Sequence, residues 1–392
     1  MDTRGTLYGM TGKTAFFIGL SYFVVFIGQN IWRATFQNLA IEIFHISPVQ
    51  IGVTYSLISI PGLFSVTLGF IGAKMKLLML LLISFLLMGF GLLGTGLVTM
   101  GSNLFSTSWY MLLFGLLLLH SGFAAYYPTI NTVFLLGVES KQAVKRLSSL
   151  KSLGPLAGVI GAAIILLVMS AHSYVFILIV AGATVLLAGV LSIIAIPSGQ
   201  YADKQQMLRL KKTLSPYYLL NFLNGCRSAI FKTFVIYYLI TEFHFELKNT
   251  ALIVLAGNIL TFAGYQLVGR LAKRYDPAKL LAILYLIMCF NFLGFMWLKS
   301  PELLSLVFLL DSLVFCTSAI TDSYLKFLSR DKELLGDLAT GVTLYHLGGV
   351  IMPIAGGLLY AHNDVHVFLL GSLCTLFSIC ATKKLVRKSW GC

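Results

Sequence analysis

Four polar residues lie at helical spacing inside a long apolar segment near the start of the sequence. Gln29, Asn30, Arg33 and Gln37 fall within a stretch that runs from about residue 14 to residue 43. Burying an arginine in hydrocarbon costs at least ~3 kcal/mol, so the guanidinium needs a partner. Its planar fork suits a carboxylate or a phosphate. The stretch therefore indicates either a buried site for an anionic ligand or a buried ion pair.

Three more apolar segments carry polar stripes of the same kind. Their members are His120, Tyr127 and Asn131 in the first, Asn224, Arg227 and Lys232 in the second, and Asp311, Asp322 and Lys326 in the third. A period of 3.6 residues gathers each set on or near one helix face, and a polar face inside a membrane must turn toward protein or water. Lys151 and His346 add two ionisable groups in other apolar segments.

The composition is that of a polytopic helical membrane protein. Of the 392 residues, 58% are hydrophobic and only 11% are charged, which is too little charge to cover a soluble protein of this size. Apolar runs of about 20 residues are long enough to cross a bilayer as helices. Twelve spans are predicted, at 14–42, 47–72, 77–100, 107–137, 145–170, 173–196, 215–241, 248–272, 278–298, 302–327, 335–361 and 365–383. The first span is too long for a cleavable signal peptide, and the six cysteines show no metal-binding spacing.

The positions of the charges explain the formal net charge of +14. Lys and Arg crowd every second connection between spans, whereas the opposite connections carry only Lys248 and Lys299. This asymmetry follows the positive-inside rule and predicts that both termini are cytoplasmic. The basic composition thus reflects insertion into a lipid bilayer and not a nucleic acid partner.

The sequence contains an internal duplication. The polar connection 197–215 separates six spans from six, which predicts an N-terminal bundle over 1–196, a cytoplasmic linker over 197–214 and a C-terminal bundle over 215–392. IEIFHISPVQIG (41–52) resembles LITEFHFELKNTA (239–251), and the same offset places Arg33 opposite Lys232. Likewise, SLKSLGPLAG (149–158) resembles TLYHLGGVIM (343–352).

Six plus six spans, a basic central loop and Gly-to-basic loops after the second and eighth spans resemble the major facilitator superfamily. The loops keep Gly69 and Lys74 in one half and Gly269 and Arg274 in the other, but Ala73 replaces the family's acidic residue. The resemblance implies an all-α fold of two pseudo-symmetric six-helix bundles around a midplane site, with spans 1, 4, 7 and 10 lining the cavity and alternating access to the two sides. Basic residues on spans 1 and 7 also resemble those of the organophosphate–phosphate antiporters, which implies phosphate contacts for Arg33 and Arg227.

Two sets of candidate site residues follow from the stripes. The substrate-binding set is Gln29, Asn30, Arg33, Gln37, Tyr127, Asn131, Asn224, Arg227 and Lys232. The coupling or gating set is His120, Lys151, Asp311, Asp322, Lys326 and His346. More basic than acidic groups lie in the spans, so the cavity is expected to be net positive.

Three roles remain open from the sequence. Arg33 could contact the ligand or act as a strut paired with Asp311. Asp322 and Lys326, four residues apart, are expected to form a gate or surface pair. His120 and His346 could shuttle protons, or each could be satisfied by a backbone carbonyl.

The sequence favours a secondary transporter for a small anionic organic solute, driven by protons or by exchange with a counter-ion. The alternatives are a multidrug or siderophore exporter and, in another class, a receptor or assembly factor with the same fold. No enzymatic motif, cofactor site or metal cluster is predicted. A monomer in the plasma membrane, such as a bacterial inner membrane, is expected.

Overall fold

The computed structural model describes residues 12–68, 71, 75–98, 109–136, 138, 142–168, 174–195, 211–329 and 333–385. These residues form twelve helices. They are α1 (Gly12–Glu42), α2 (Pro48–Leu63, extended by a 3-10 turn Phe64–Thr67), α3 (Leu77–Val98), α4 (Trp109–Leu136), α5 (Ala143–Val168), α6 (Tyr174–Ala195), α7 (Ser215–Ile230, Phe231–Val235 and Ile236–Phe243), α8 (Leu247–Leu271), α9 (Pro277–Trp297), α10 (Pro301–Val314 and Thr317–Leu328), α11 (Leu334–His362) and α12 (His366–Thr382). The predicted spans are confirmed to within a few residues.

Ten helices of the described chain are long and apolar enough to cross a membrane, and α12 is a shorter apolar helix. The tenth span is counted as one segment, Pro301–Lys326, although its helix is interrupted after Val314. The seventh span also departs from regular helix, because Phe231–Val235 is π-helical. A π-turn widens the helix locally and is often found at functional sites.

Helix starts follow ordinary capping chemistry. Ser47 and Gln50 form a capping box ahead of α2, and the side chains of Asp276 and Ser300 cap α9 and α10. In all three cases proline is the first helical residue, where its missing N–H has no cost. The tight connections before these helices keep neighbouring spans antiparallel. We call the end of the molecule at which α1 begins the lower end and the end at which α1 finishes the upper end.

The duplication read from the sequence is visible in the backbone. His45 and His244, which the alignment pairs, are the two non-glycine residues with positive φ in the described chain, at 48° and 54°. Each follows the last turn of a helix, and the next residue donates its N–H six residues back, from Ile46 to Ala40 and from Phe245 to Leu239. This is the left-handed C-terminal cap of a helix. The same turn therefore closes the first span of each half.

Close packing joins the halves through two helix pairs, α2 with α11 and α5 with α8. Within each half, α3 packs against α4 and α6, and α9 packs against α12. Gly269 lies where α8 meets Ser148 of α5, so this residue of the family loop pattern serves close helix contact. The matching residues Gly69, Ala73 and Lys74, and the linker 197–210, lie outside the described residues.

Candidate functional site

A cavity of about 390 Å³ lies between the two halves. Its walls come from α1, α2, α4 and α5 of the first half and α7, α8, α10 and α11 of the second. Among the described residues, α3, α6, α9 and α12 contribute none of the lining. The four helices with polar stripes, α1, α4, α7 and α10, do line the cavity, as expected for polar faces in a bilayer. The contributions of α2, α5, α8 and α11 were not predicted.

Most of the predicted site residues line this cavity. They are Gln29, Asn30, Arg33, Gln37, His120, Tyr127, Asn131, Lys151, Asn224, Arg227, Lys232, Asp322 and His346. Asp311 and Lys326 do not belong to the lining. The cavity walls therefore join residues from near both ends of the sequence.

Arg33 projects into the cavity and is exposed there. It has neither an ion pair nor a hydrogen bond to any residue that the structure describes. The strut to Asp311, one of the two roles left open by the sequence, is not formed, and Asp311 faces Arg227 instead. Arg33 is consequently a cation whose charge no neighbouring carboxylate offsets in this structure.

Arg227 faces Asp311 inside the second half. Its Nη1 lies 3.6 Å from Asp311 Oδ2, and each side chain is 1% exposed. This distance is too long for a hydrogen bond, so the contact is one between charges. Asn291 Nδ2 donates to the other carboxylate oxygen at 3.5 Å, and Asn224 Oδ1 accepts from Arg227 Nη2 at 3.2 Å. The charge of Arg227 is thus largely engaged within its own half.

Lys151 and Asp322 form the shortest ion pair across the two halves of the described chain. Lys151 Nζ lies 2.6 Å from Asp322 Oδ2, with side chains 2% and 6% exposed. Lys151 also donates to Tyr127 Oη at 2.7 Å and Ser318 Oγ at 3.2 Å. The expected pairing of Asp322 with Lys326 was wrong, because the ammonium from the other half approaches the carboxylate through the cavity. Tyr127 belongs to this cluster as well, through a 3.4 Å hydrogen bond from its hydroxyl to Asp322.

Lys232 is the second cation of the described cavity lining, after Arg33, that has no ion pair with a described carboxylate. Its Nζ donates to Tyr345 Oη at 2.7 Å, and that hydroxyl donates to Ser228 at 2.8 Å. Lys232 lies in the π-helical turn of α7. The carbonyl oxygens of Lys232 and Thr233 there accept hydrogen bonds from Gln37 Nε2 at 2.7 and 3.2 Å. Gln37 is therefore a contact between the halves beside the cavity.

The other amide side chains of the predicted substrate-binding set differ in their hydrogen-bond partners. Asn30 Nδ2 donates to the carbonyls of Phe26 and Gly154, which fastens α1 to α5. Gln29 Nε2 contacts Met88 Sδ at 3.6 Å. Asn131 is fully buried, and neither of its amide atoms has a hydrogen-bond partner in the described chain. Asn131 is the amide with free bonding capacity toward the cavity.

The two histidines face the cavity from opposite halves. The ring of His120 meets Trp32 edge to face at 5.2 Å, and its Nε2 is buried without a partner among the described residues. His346 packs directly over Gly62 of α2, where a Cβ would overlap with its ring. Neither ring shows a hydrogen bond to a backbone carbonyl within the described ranges, so the expectation of a satisfied core histidine was wrong here.

Both ends of the cavity are bounded by contacts between the halves. Toward the upper end, Asn38 Nδ2 donates to Phe245 O at 3.4 Å and Tyr237 Oη to Ile46 O at 3.4 Å. Toward the lower end, besides Lys151–Asp322, Gln266 Nε2 donates to Ser152 Oγ at 2.9 Å. The structure therefore holds the two halves together on both sides of the site.

Several lining residues were missed by the sequence reading. Tyr345, Phe315 and Trp32 line the cavity beside its cations. Tyr345 could have been found, because the repeat 149–158 against 343–352 places it opposite Lys151. Trp32 and Phe315 gave no such signal, since an aromatic residue in an apolar span is ordinarily packing.

The sequence pattern of the Major Facilitator Superfamily matches residues 18–329, and the chain belongs to this family of membrane transporters. A search of curated proteins found no match. Among solved structures, the human organic anion transporter MFSD10 (TETRAN) is similar with a TM-score of 0.72 at 12% identity, covering 94% of this chain and 99% of that one. The E. coli fucose:proton symporter FucP is similar with a TM-score of 0.68 at 15% identity, covering 95% of this chain and 98% of that one. The nucleoside transporter NupG is similar with a TM-score of 0.69 at 14% identity, covering 95% of this chain and 100% of that one. At these identities the likeness establishes the fold alone.

Proposed function

We propose that this protein is a secondary active transporter that moves a small organic anion across the membrane by alternating access. The observation that carries the proposal is the pair Arg33 and Lys232. One cation comes from each half, both line the same cavity, and neither has a carboxylate partner among the described residues. An anion between them would be attracted to both cations and would reduce the net positive charge of the cavity.

The remaining charges of the cavity strengthen this interpretation. Lys151 is paired with Asp322 and Arg227 faces Asp311, so each of these cations already has a counter-charge. Among the described residues of the cavity lining, the surplus is therefore confined to Arg33 and Lys232. A neutral or cationic solute would leave this surplus buried when the halves close, which is unfavourable. An anionic solute lowers that cost.

Alternating access follows from the inter-half contacts. The halves 1–196 and 215–392 would rock about the substrate, with 197–214 as the cytoplasmic linker. Opening the lower end requires Lys151 and Asp322 to separate, and opening the upper end requires Gln37 to leave the π-helical carbonyls of α7. Because the empty closed state buries two unbalanced cations, exchange of one anion for another should be faster than return of the empty carrier.

The driving force is proposed to be a proton gradient or exchange with a counter-ion. Asp311 and the two histidines are the candidates for carrying a proton. The names of the similar structures include an organic anion transporter and a proton symporter, which fits this chemistry without fixing it for this chain. We further propose a monomer in the plasma membrane, or the inner membrane of a bacterium, with both termini cytoplasmic. No nucleic acid partner or cofactor is invoked.

A ligand screen by thermal unfolding tests the proposal. The purified chain would be heated with organic carboxylates, phosphate esters, neutral sugars, nucleosides and lipophilic cations. We expect unfolding to shift upward with anions, by an amount that rises with concentration, because ligands that bind only the folded state stabilise it. The shift should vanish in Arg33→Gln and persist in Arg274→Gln, a matched change at an exposed position outside the cavity. Stabilisation by cations or neutral solutes alone would contradict the proposal and favour an exporter of lipophilic compounds.

A further inference from the structure

The rings near Arg33 carry two nitrogen atoms for which the proposed function names no contact with the solute. Trp32, the neighbouring residue in α1, is 3% exposed and lines the cavity. Its Nε1 is buried without a hydrogen-bond partner in the part of the chain that the structure describes. His120 Nε2 is also buried without a hydrogen-bond partner among the described residues. The rings of Trp32 and His120 meet edge to face, with their centroids 5.2 Å apart.

These groups form a consistent set of donors. An indole N–H can only donate, and a neutral imidazole can present its Nε2 as a donor when the proton sits there. Arg33, which follows Trp32 in α1 and lines the same cavity, adds a guanidinium that has no described partner. Buried donors left without acceptors are unfavourable unless something supplies the acceptor. Three donors for which no acceptor is described therefore indicate a site for an oxyanion.

The walls around this site are aromatic. Of the residues that line the cavity, eleven are Phe, Tyr or Trp and only five are Ile, Leu or Val. Phe315 lies beneath two cations, with Arg227 at 5.1 Å and Lys232 at 6.0 Å from its ring centre, and Phe231 stacks on Phe308 at 5.4 Å. Aromatic surfaces prefer the edge or offset face of another ring, so the non-polar part of the ligand is best matched by an aromatic group.

We propose that the substrate is an aromatic carboxylate, held at its carboxylate by Arg33, Trp32 Nε1–H and His120 Nε2–H, with its ring against the aromatic walls. This rests on the proposed function, which requires only an organic anion. A carboxylate offers about four lone-pair positions, enough for the guanidinium and two ring nitrogens. A cavity of about 390 Å³ is near the lower limit for ligand sites and suits a compound with a single ring. Lys232 lines the same cavity from the other half and adds to the attraction for the anion.

Binding of four compounds to the purified full-length chain tests this inference. Benzoate and cyclohexanecarboxylate share charge and approximate size and differ in aromaticity, benzamide lacks the charge, and phenyl phosphate replaces the carboxylate. We expect benzoate to bind several-fold more tightly than cyclohexanecarboxylate and at least about tenfold more tightly than benzamide. Equal binding of the two acids, or tighter binding of phenyl phosphate, overturns the inference about substrate class.

One substitution tests the donor set. Trp32→Phe keeps a ring but removes the N–H, and should weaken benzoate binding about tenfold or more, because the lost bond is made to a charged group. Trp297→Phe is the matched control, since Trp297 is 69% exposed and far from the cavity lining. An unchanged melting temperature without ligand shows that Trp32→Phe folds. Unchanged benzoate affinity in folded Trp32→Phe overturns the site. If other organic anions bind and benzoate does not, this inference fails while the proposed function stands, whereas failure of every anion overturns both.

Discussion

Lys151 of the first half and Asp322 of the second are joined by a buried ion pair of 2.6 Å in the wall of the cavity, toward its lower end. Tyr127 and Ser318 complete the hydrogen bonding of the ammonium group. A buried ion pair is stable only while both partners are present, because either charge alone is left desolvated. The contact therefore acts as a lock between the halves at the lower end.

Neutralising one member of this lock should destabilise the protein more than neutralising both. Lys151→Met or Asp322→Asn alone should cost about 3–5 kcal/mol, and the double variant should recover most of that loss. Unfolding of the three purified variants measures the difference. A double variant as unstable as the sum of the single variants would mean that the two side chains do not act as a pair.

A second double-mutant cycle separates the two arginines. The stability lost in Arg227→Gln should be partly recovered when Asp311→Asn is added, because the double variant leaves no unpaired buried charge. The free energies of unfolding of the single and double variants should give a coupling energy of about 1 kcal/mol or more. Arg33→Gln and Asp311→Asn should be additive within about 0.5 kcal/mol, because these residues do not touch. Thermal or denaturant unfolding gives both values. Strong coupling between Arg33 and Asp311 would contradict this prediction and would indicate that the two side chains form an ion pair.

Gly225 marks the crossing of α7 and α11, which carry Lys232 and Tyr345. A Cβ at Gly225 would overlap with the carbonyl oxygen of Tyr345, so Gly225→Ala forces the helices apart. We expect a loss of about 1–3 kcal/mol in the free energy of unfolding, the usual cost of overpacking. Gly94→Ala in α3 is the control, because no atom lies within 4 Å of the position that a Cβ would occupy there. That change should be neutral or stabilising by up to ~1 kcal/mol, since alanine favours helix.

The membrane orientation is open to chemical labelling. In a cysteine-free background, Glu246→Cys at the upper end should react with an impermeant thiol reagent added to intact cells. Arg274→Cys at the lower end should react only after the membrane is opened. Both native side chains are exposed, so access is limited by the membrane alone. Labelling of residue 274 from outside would reverse the predicted topology.

Much of the fold was predictable because a lipid bilayer requires long apolar spans and turns their polar faces toward protein or water. Apolar runs predicted the twelve helices, and the offset between His45 and His244 predicted a repeat that the backbone reproduces at these two turns. The orientation inferred from the charge asymmetry stays a prediction. Polar stripes identified the inward faces, since a membrane leaves charged faces no other direction.

Pairing within the cavity was not predictable in the same way. Asp322 was assigned to Lys326 because the two are one helical turn apart, yet its partner Lys151 is 171 residues away. The sequence offered Arg33 as the partner of Asp311, whereas helix packing brings Arg227 to this carboxylate instead. The π-helical turn at Lys232 and the unpartnered Trp32 Nε1 likewise depend on contacts between segments far apart in the sequence.

Counterflow in proteoliposomes tests the central claim most directly. Vesicles holding the purified protein would be loaded with an unlabelled organic anion and diluted into a trace of the same anion in labelled form, for each anion of the panel. We predict that the label accumulates transiently above its equilibrium level with at least one anion. The control variant Arg274→Gln should show the same counterflow as the unsubstituted protein. Counterflow by Arg33→Gln should be reduced about tenfold or more. Absence of counterflow for every anion with folded protein, or equal counterflow in Arg33→Gln, would contradict an anion transporter organised around Arg33 and Lys232.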